Sequence, residues 1–266
     1  MMKIKQYIVT YNNNLVLNKC LKSMEGVTHE VVVIDNFGNC EIEDTHLNVT
    51  IIKNELRPSF STGHLSKDWN AGLVNGFKDL KNPAADIVIL NQNDTIFKKG
   101  YIDKLIELHN NFDFIQMGSG DELMSFTPNA VKMVGLFDER FCNIGFQEAD
   151  YFLRCLLYNP YRSTINDLDH DRYLNALDTQ DVVVEKTVCG HNRGENYTNE
   201  SAKYHINSHM MFNFKWHNLQ LDRNWSRIPK DYDLSKIRPS ISNIMYPYFE
   251  KDIQTLTEQN FIYYFD

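Results

Sequence analysis

The chain is short of positive charge. Its 266 residues hold 27 lysines and arginines against 35 aspartates and glutamates, a formal net charge of -8. Nucleic-acid scaffolds usually carry a basic stripe that neutralises phosphates, so no nucleic-acid partner is expected. No apolar run approaches the roughly eighteen residues that would suggest a transmembrane helix. The opening residues, Met1 to Tyr7, lack the apolar core of a signal peptide. Cysteine is scarce and scattered: Cys20, Cys40, Cys142, Cys155 and Cys189 form no C-x-x-C and leave an odd count. That argues against a disulfide framework or a structural zinc site, and the expected setting is the reducing cytoplasm. Apolar residues are plentiful, at 42% of the chain, enough for the core of one large α/β domain with or without a small appendage.

The first hundred residues alternate two hydrophobic periods. Tyr7 to Thr10 is a short β-branched run, followed by turn formers Tyr11 to Asn14, with Asn14 expected as a helix N-cap. Leu17, Cys20, Leu21 and Met24 recur at helical spacing, predicting an amphipathic helix over 15–24 that stops at Gly26. Glu30 to Ile34 is a second buried strand ending at Asp35-Asn36, and the three pieces make a βαβ unit. Asn48 to Lys53 reads as a third strand. Past a loop rich in Pro58, Ser59, Ser61, Thr62 and Gly63, Ser66 is expected to cap a helix with Trp69, Leu73, Phe77 and Leu80 on one face. Ile87 to Leu90 is then a buried parallel-type strand that delivers Asn91-Gln92-Asn93-Asp94-Thr95 to its C-terminal end. In open α/β sheets that end is where ligands bind.

The second half is read more sparsely. Tyr101 to His109 suits a helix, Phe112 to Met117 a strand broken by Gly118-Ser119-Gly120, and Pro128 a helix start. Asp150 and Arg154 stand four residues apart, on one helix face, and can pair. Asp167 to Asp171 is an acidic cluster expected to be a solvated loop. Asp181 to Val184 and Thr187 to Cys189 read as strand, and within 200–217 Tyr204, Met211, Phe212 and Trp216 make an aromatic stretch suited to core packing or to stacking on a sugar ring.

Taken in order, Val9-Thr10-Tyr11-Asn12, Cys20-Leu21-x-Ser23, Val31 to Asn36, Asn70-Ala71-Gly72 and Leu90 to Asp94 resemble the nucleotide-binding half of family 2 glycosyltransferases. Gly135-x-Phe137-Asp138-Glu139-x-Phe141, followed by Gln147-Glu148-Ala149-Asp150 and Arg154, resembles that family's catalytic half. The Asn-rich strand end is also similar to rhamnosyltransferase-like members. The resemblance implies a GT-A fold: a mostly parallel central sheet flanked by helices, with a Rossmann-like nucleotide-binding half. It covers 1–217, split as a nucleotide-sugar half (1–99) and an acceptor half (100–217), and leaves 218–266 as a C-terminal extension.

The resemblance also implies roles. Thr10, Tyr11 and Asp35 match the positions that hold the nucleotide base, Asn70 and Asn93 lie in matching donor-side segments, and Arg193, two residues after His191, is a candidate to neutralise phosphate in addition or instead. Asp94 and His191 match the ligands of Mn²⁺ or Mg²⁺, and Glu148 matches the general base. The usual strand-end motif carries two or three carboxylates; here Asn91 and Asn93 replace them, leaving Asp94 as the only charged one. The implied reaction is inverting transfer of a sugar from a UDP- or dTDP-sugar, less so a GDP-sugar, to a glycan hydroxyl. Two alternatives stay open. One is an inactive relative that binds a sugar nucleotide or glycan; the other is a sugar nucleotidyltransferase, whose Gly-rich basic N-terminal signature is not visible here.

Overall fold

The computed structural model describes residues 2–54, 65–117, 122–141, 146–158, 182–184 and 208–216. Pro58 to Gly63, Gly118 to Gly120, Asp167 to Asp171, Thr187 to Cys189, His191, Arg193 and the extension 218–266 lie outside the described residues. The elements run β1 (Ile4–Thr10), α1 (Asn14–Ser23), β2 (Glu30–Asp35), β3 (Asn48–Lys53), α2 (Leu65–Phe77), β4 (Ile87–Gln92) and β5 (Thr95–Phe97). They continue with α3 (Tyr101–His109), β6 (Phe114–Met117), β7 (Leu123–Phe126), α4 (Pro128–Val134), α5 (Gln147–Tyr158) and β8 (Val182–Val184). Residues 208–215 are also helical.

Six strands form one sheet in the order β3-β2-β1-β4-β7-β6. β3, β2, β1 and β4 are mutually parallel, and β7 is antiparallel to both β4 and β6. β6 therefore points the same way as the first four strands, and the sheet is mostly parallel. β5 leaves it to pair antiparallel with β8. This is the α/β architecture, a mostly parallel sheet flanked by helices, that the GT-A resemblance implies.

Alternation along the strands divides the apolar side chains between two cores. Tyr7, Val9, Val32, Ile34, Val88, Leu90, Met124 and Phe126 face α2, α4 and α5. Ile8, Val31, Val33, Ile87, Ile89 and Leu123 face α1 and α3. Strands covered on both faces read as continuous apolar runs, which is why β2 and β4 are prominent in the sequence. β7 is covered on both faces as well, but at four residues flanked by a glycine break it carries no periodic signal.

Among the local details that differ from the expectation, two concern helix caps. The N-cap of α1 is Asn13, whose side chain accepts from Val16 N, so Asn14 is the first helical residue. Ser66 lies inside α2, where its hydroxyl donates to Phe141 O and fastens the helix to a distant loop. Among the described residues no helix is long and apolar enough to cross a membrane.

Close approach of α2 to the sheet depends on two glycines. A Cβ on Gly72 would stand 2.9 Å from Leu90 Cδ2, and one on Gly76 would collide with Val88 Cγ2. Any side chain there must displace Leu90, Val88 or Tyr7 in a dense core. Gly76→Val should therefore destabilise the protein by about 1–3 kcal/mol. The check is a lowered urea midpoint at constant m-value; an unchanged midpoint would disprove the contact.

Two histidines are built into the packing. His109 joins α3 to the sheet, its Nδ1 meeting Phe112 O at 2.9 Å and its Nε2 meeting Ser125 Oγ at 2.7 Å. His29 Nε2 meets Gln6 Oε1 at 3.0 Å. Burial lowers each pKa to about 4; for His109 the Phe112 carbonyl and the Asp113 charge pull partly the other way. A folded pKa below the unfolded value, about 6.5, means that this stabilisation is complete above that pH and is lost as the pH falls towards 4. The urea midpoint should drop between about pH 7 and pH 5, and His109→Gln should flatten that dependence.

Candidate active site

Parallel pairing sets the level at which the strands end. Thr10 is opposite Asp35, and Val9 is opposite Gln92, so the residues after β1, β2 and β4 emerge side by side at one edge of the sheet. Side chains tie these ends together. Asn93 Nδ2 donates to Thr10 Oγ1 at 2.9 Å, and Asn36 N donates to Thr10 O at 3.0 Å. Across the other side of β4, Glu122 O accepts from both Gln92 N (3.2 Å) and Thr95 Oγ1 (2.9 Å), so Asn93 and Asp94 sit on a turn held at both ends.

The asparagines of this tip do different work. Asn91 is fully buried and faces α1: its Oδ1 accepts from Gln6 Nε2, while its Nδ2 donates to Gln92 O and reaches Cys20 Sγ at 3.7 Å. Gln6 in turn accepts from Tyr101 Oη at 2.8 Å. Asn91 therefore anchors the strand end from inside, where a carboxylate would be an uncompensated buried charge. Asp94 is 3% exposed, and its charge adds to burial in pushing the Cys20 thiol pKa far up.

Asp35 closes a turn. Its Oδ1 accepts from Phe37 N (3.0 Å) and Gly38 N (2.8 Å) and its Oδ2 from Cys40 N (2.8 Å), and the residue has no exposed surface. The sequence singles out this carboxylate; its backbone partners follow from Gly38 at φ +82°, which lets the chain fold back over the side chain. Asn70 is likewise buried. Its Nδ2 donates to Phe137 O and Glu139 Oε1, and its Oδ1 accepts from Phe137 N, so it carries the 137–139 segment on α2.

Glu148 lies in the first turn of α5, 6% exposed. That turn is fixed by a charge network. Asp150 Oδ2 accepts from Arg154 Nε at 2.9 Å, the pairing predicted from the spacing, while its Oδ1 takes Lys215 Nζ at 2.6 Å and Trp216 Nε1 at 3.0 Å. Lys215 also reaches Asp138 Oδ2 at 2.8 Å, and Arg140 completes the pairing of Asp138. Three segments, 138–140, α5 and 208–216, are thus joined through fully buried charges. The role of Lys215 is not evident from its aromatic-basic neighbourhood in the sequence, because both partners are more than sixty residues away.

Burial alone would raise the pKa of Asp138, but Lys215 and Arg140 win and hold it at about 2. The folded value lies below the unfolded one, so this contribution is present above about pH 4 and is lost as the pH falls towards 2. Removing one partner of a buried pair leaves an uncompensated charge. Lys215→Met should cost about 3–5 kcal/mol, whereas a surface variant such as Lys104→Met should cost well under 1. Thermal melts of the two variants check this, and equal melting points would exclude a supporting role for the network.

Mg²⁺ usually keeps several waters and takes one or two carboxylates together with substrate phosphates. Asp94 offers a carboxylate, and Asn93, with its Nδ2 turned to Thr10, offers a neutral amide oxygen. Among the described residues no group of three or more His, Cys, Asp or Glu forms a stand-alone cage. This donor set fits a hard cation that arrives with a diphosphate better than it fits a closed structural site.

No protein-family model matches the chain, and no curated protein matches it. Among solved structures it is similar to S. aureus TarS 1-349 at 15% identity, over 58% of this chain and 56% of that one, with a TM-score of 0.41. The same S. aureus segment in complex with UDP-GlcNAc is similar at 15% identity over 57% and 54%, TM-score 0.40. HddC from Yersinia pseudotuberculosis is similar at 11% identity over 48% and 78%, TM-score 0.34. The chain spans about half the length of the first of these. At such identity and overlap the likeness says nothing of chemistry, which has to rest on the residues themselves.

Proposed function

We propose that this chain is a glycosyltransferase that moves a sugar from a nucleoside diphosphate donor, UDP- or dTDP-linked, to a hydroxyl of a glycan acceptor with inversion. The observation that carries the reading is the arrival of the ends of β1, β2 and β4 at one edge of the sheet, together with the buried charge network that fixes the first turn of α5. Of its two carboxylates, Asp150 has both oxygens committed to Arg154, Lys215 and Trp216. Glu148, in the position that the resemblance gives to the general base, stands on the turn that this network holds.

In the proposed reaction the acceptor oxygen attacks the anomeric carbon in line with the bond to the diphosphate. Glu148 takes the hydroxyl proton, the new C–O bond forms, and the nucleoside diphosphate leaves with the electron pair of the broken bond. Thr10, Tyr11 and the turn built by Asp35 would receive the nucleoside, and Asn93 and Asp94 the diphosphate. A divalent cation bound at Asp94, with His191 as a further ligand, would neutralise charge on the leaving group. Arg193 would add positive charge to the same group, and Asn70 would act by holding the 137–139 segment. A helix N-terminus favours the carboxylate anion and so weakens Glu148 as a base. The reading includes a cytoplasmic setting, where the free thiols Cys20, Cys40 and Cys155 stay reduced.

The test is release of nucleotide from UDP-, dTDP- and GDP-sugars, with and without Mn²⁺, for the wild type, Glu148→Gln and Asp94→Ala. Glu148→Gln should lower kcat by about 10²–10⁴-fold with little change in donor KM. Asp94→Ala should raise donor KM and remove any dependence on the cation. Donor binding without turnover by the wild type would instead identify a sugar-nucleotide-binding protein, and full activity of Glu148→Gln would end the assignment of the base.

A further inference from the structure

The sheet ends in two unlike edges. β6, at one end of the strand order, is buried along its whole length, whereas β3, at the other, is exposed at every residue except Val49. Two β-branched apolar side chains stand in water there, Ile51 at 37% and Ile52 at 40% exposure. Outer strands of monomeric proteins are usually blunted by proline, by an inward charge or by a bulge. β3 has none of these: Asn48 to Lys53 pairs with Glu30 to Asp35 in unbroken register, and its only charge is Lys53, at the last position.

Backbone alternation identifies the open groups. Asn54 N donates to Asp35 O, so the residues in phase with Asn54, namely Asn48, Thr50 and Ile52, turn their N–H and C=O towards β2. Val49, Ile51 and Lys53 turn theirs the other way, and among the described residues no strand pairs with that side. An outer edge of this kind is a template for another strand.

The template is its own complement. A two-fold axis at Ile51 sets a second β3 antiparallel to the first, with Ile51 opposite its counterpart, Val49 opposite Lys53 and Thr50 opposite Ile52. In that register each outward residue of one copy meets an outward residue of the other, so every open N–H and C=O of Val49, Ile51 and Lys53 finds a partner. Apolar side chains cross at the centre, and the two lysines lie at opposite ends. Moving the axis to Lys53 would instead set lysine against lysine.

We infer that β3 is the contact of a homodimer in which two copies pair β3 to β3, joining their six-stranded sheets into one continuous sheet. This contact is independent of the function proposed above. Because the pairing is antiparallel and β3 runs parallel to β2, β1 and β4, the strand ends that carry the candidate site point one way in one copy and the opposite way in the other. The two sites therefore open away from each other.

Sedimentation velocity of wild type, Ile51→Val and Ile51→Lys over a wide range of concentration tests the pairing. Wild type and Ile51→Val should pass from monomer to dimer as the concentration rises. Ile51→Lys sets two ammonium groups against each other at the axis, and it should weaken association by roughly tenfold or more with the far-UV circular dichroism unchanged. Cysteine trapping reads the register directly. Residues opposite one another in a hydrogen-bonded antiparallel pair have Cα atoms about 5.5 Å apart, within the reach of a disulfide. Mild oxidation of Ile51→Cys should therefore give a covalent dimer. Ile52→Cys, displaced from its counterpart along the strand, should give no more than the wild type, whose own cysteines serve as the blank. A wild type that stays monomeric would overturn the inference and leave the edge to a strand of another protein. Dimerisation of Ile51→Lys at wild-type strength, or cross-linking of Ile52→Cys as fast as Ile51→Cys, would overturn it as well.

Discussion

Everything at the candidate site depends on the register of three parallel strands. Because β1 pairs with β2 and β4 so that Thr10 is level with Asp35 and Val9 with Gln92, the chain leaves the sheet at one height in three adjacent places. A slip of one residue in β4 would turn Asn91 and Gln92 to opposite faces and take the anchor out of the core. The register is guarded by a polar chain within the interior, Tyr101 to Gln6 to Asn91, whose donors and acceptors match in only one alignment. Buried amides are costly when unmatched, so this chain penalises every other alignment more than it stabilises the native one.

The second half is attached to the sheet by another means. No strand pairing fixes Glu148; α5 is docked through aromatic packing of Tyr151 on Phe137 at 4.4 Å and through the Asp138–Lys215–Asp150 chain. Phe137 in turn packs on Trp69 at 5.1 Å and is hydrogen-bonded to Asn70, both on α2, which lies directly on β1 and β4. The position of Glu148 is therefore inherited from the sheet through α2 and the 137–139 segment. This gives Asn70 a structural reason to be the residue type it is, since its amide serves the N–H and C=O of Phe137 together and still donates to Glu139.

How far the sequence reveals this follows from the range of the interactions. β3 and α3 have the bounds that β-branching and helical spacing predict, since both are set by neighbours a few residues away. The Asp150–Arg154 pair is legible for the same reason. β7 is not, because a four-residue strand covered on both faces looks like any short apolar run. β5, three residues long, is defined only once it meets β8, which the Val182–Val184 run does reveal. Site residues divide in the same way. That a carboxylate ends β2 is plain in the sequence, but that it bonds its own turn depends on backbone torsions at Gly38.

The asparagines at the end of β4 change the electrostatics of the proposed chemistry. A strand end with three carboxylates repels a diphosphate strongly and requires a cation before the donor can enter. Here Asn91 is turned into the core, Asn93 is neutral and bonded to Thr10, and Asp94 is the only charge of the tip. The repulsion to be overcome is smaller, and so is the attraction for a free cation. In the proposed reaction donor and cation would then favour one another, and the coupling would be reciprocal. A tip of this composition would therefore tie cation affinity to the presence of the donor.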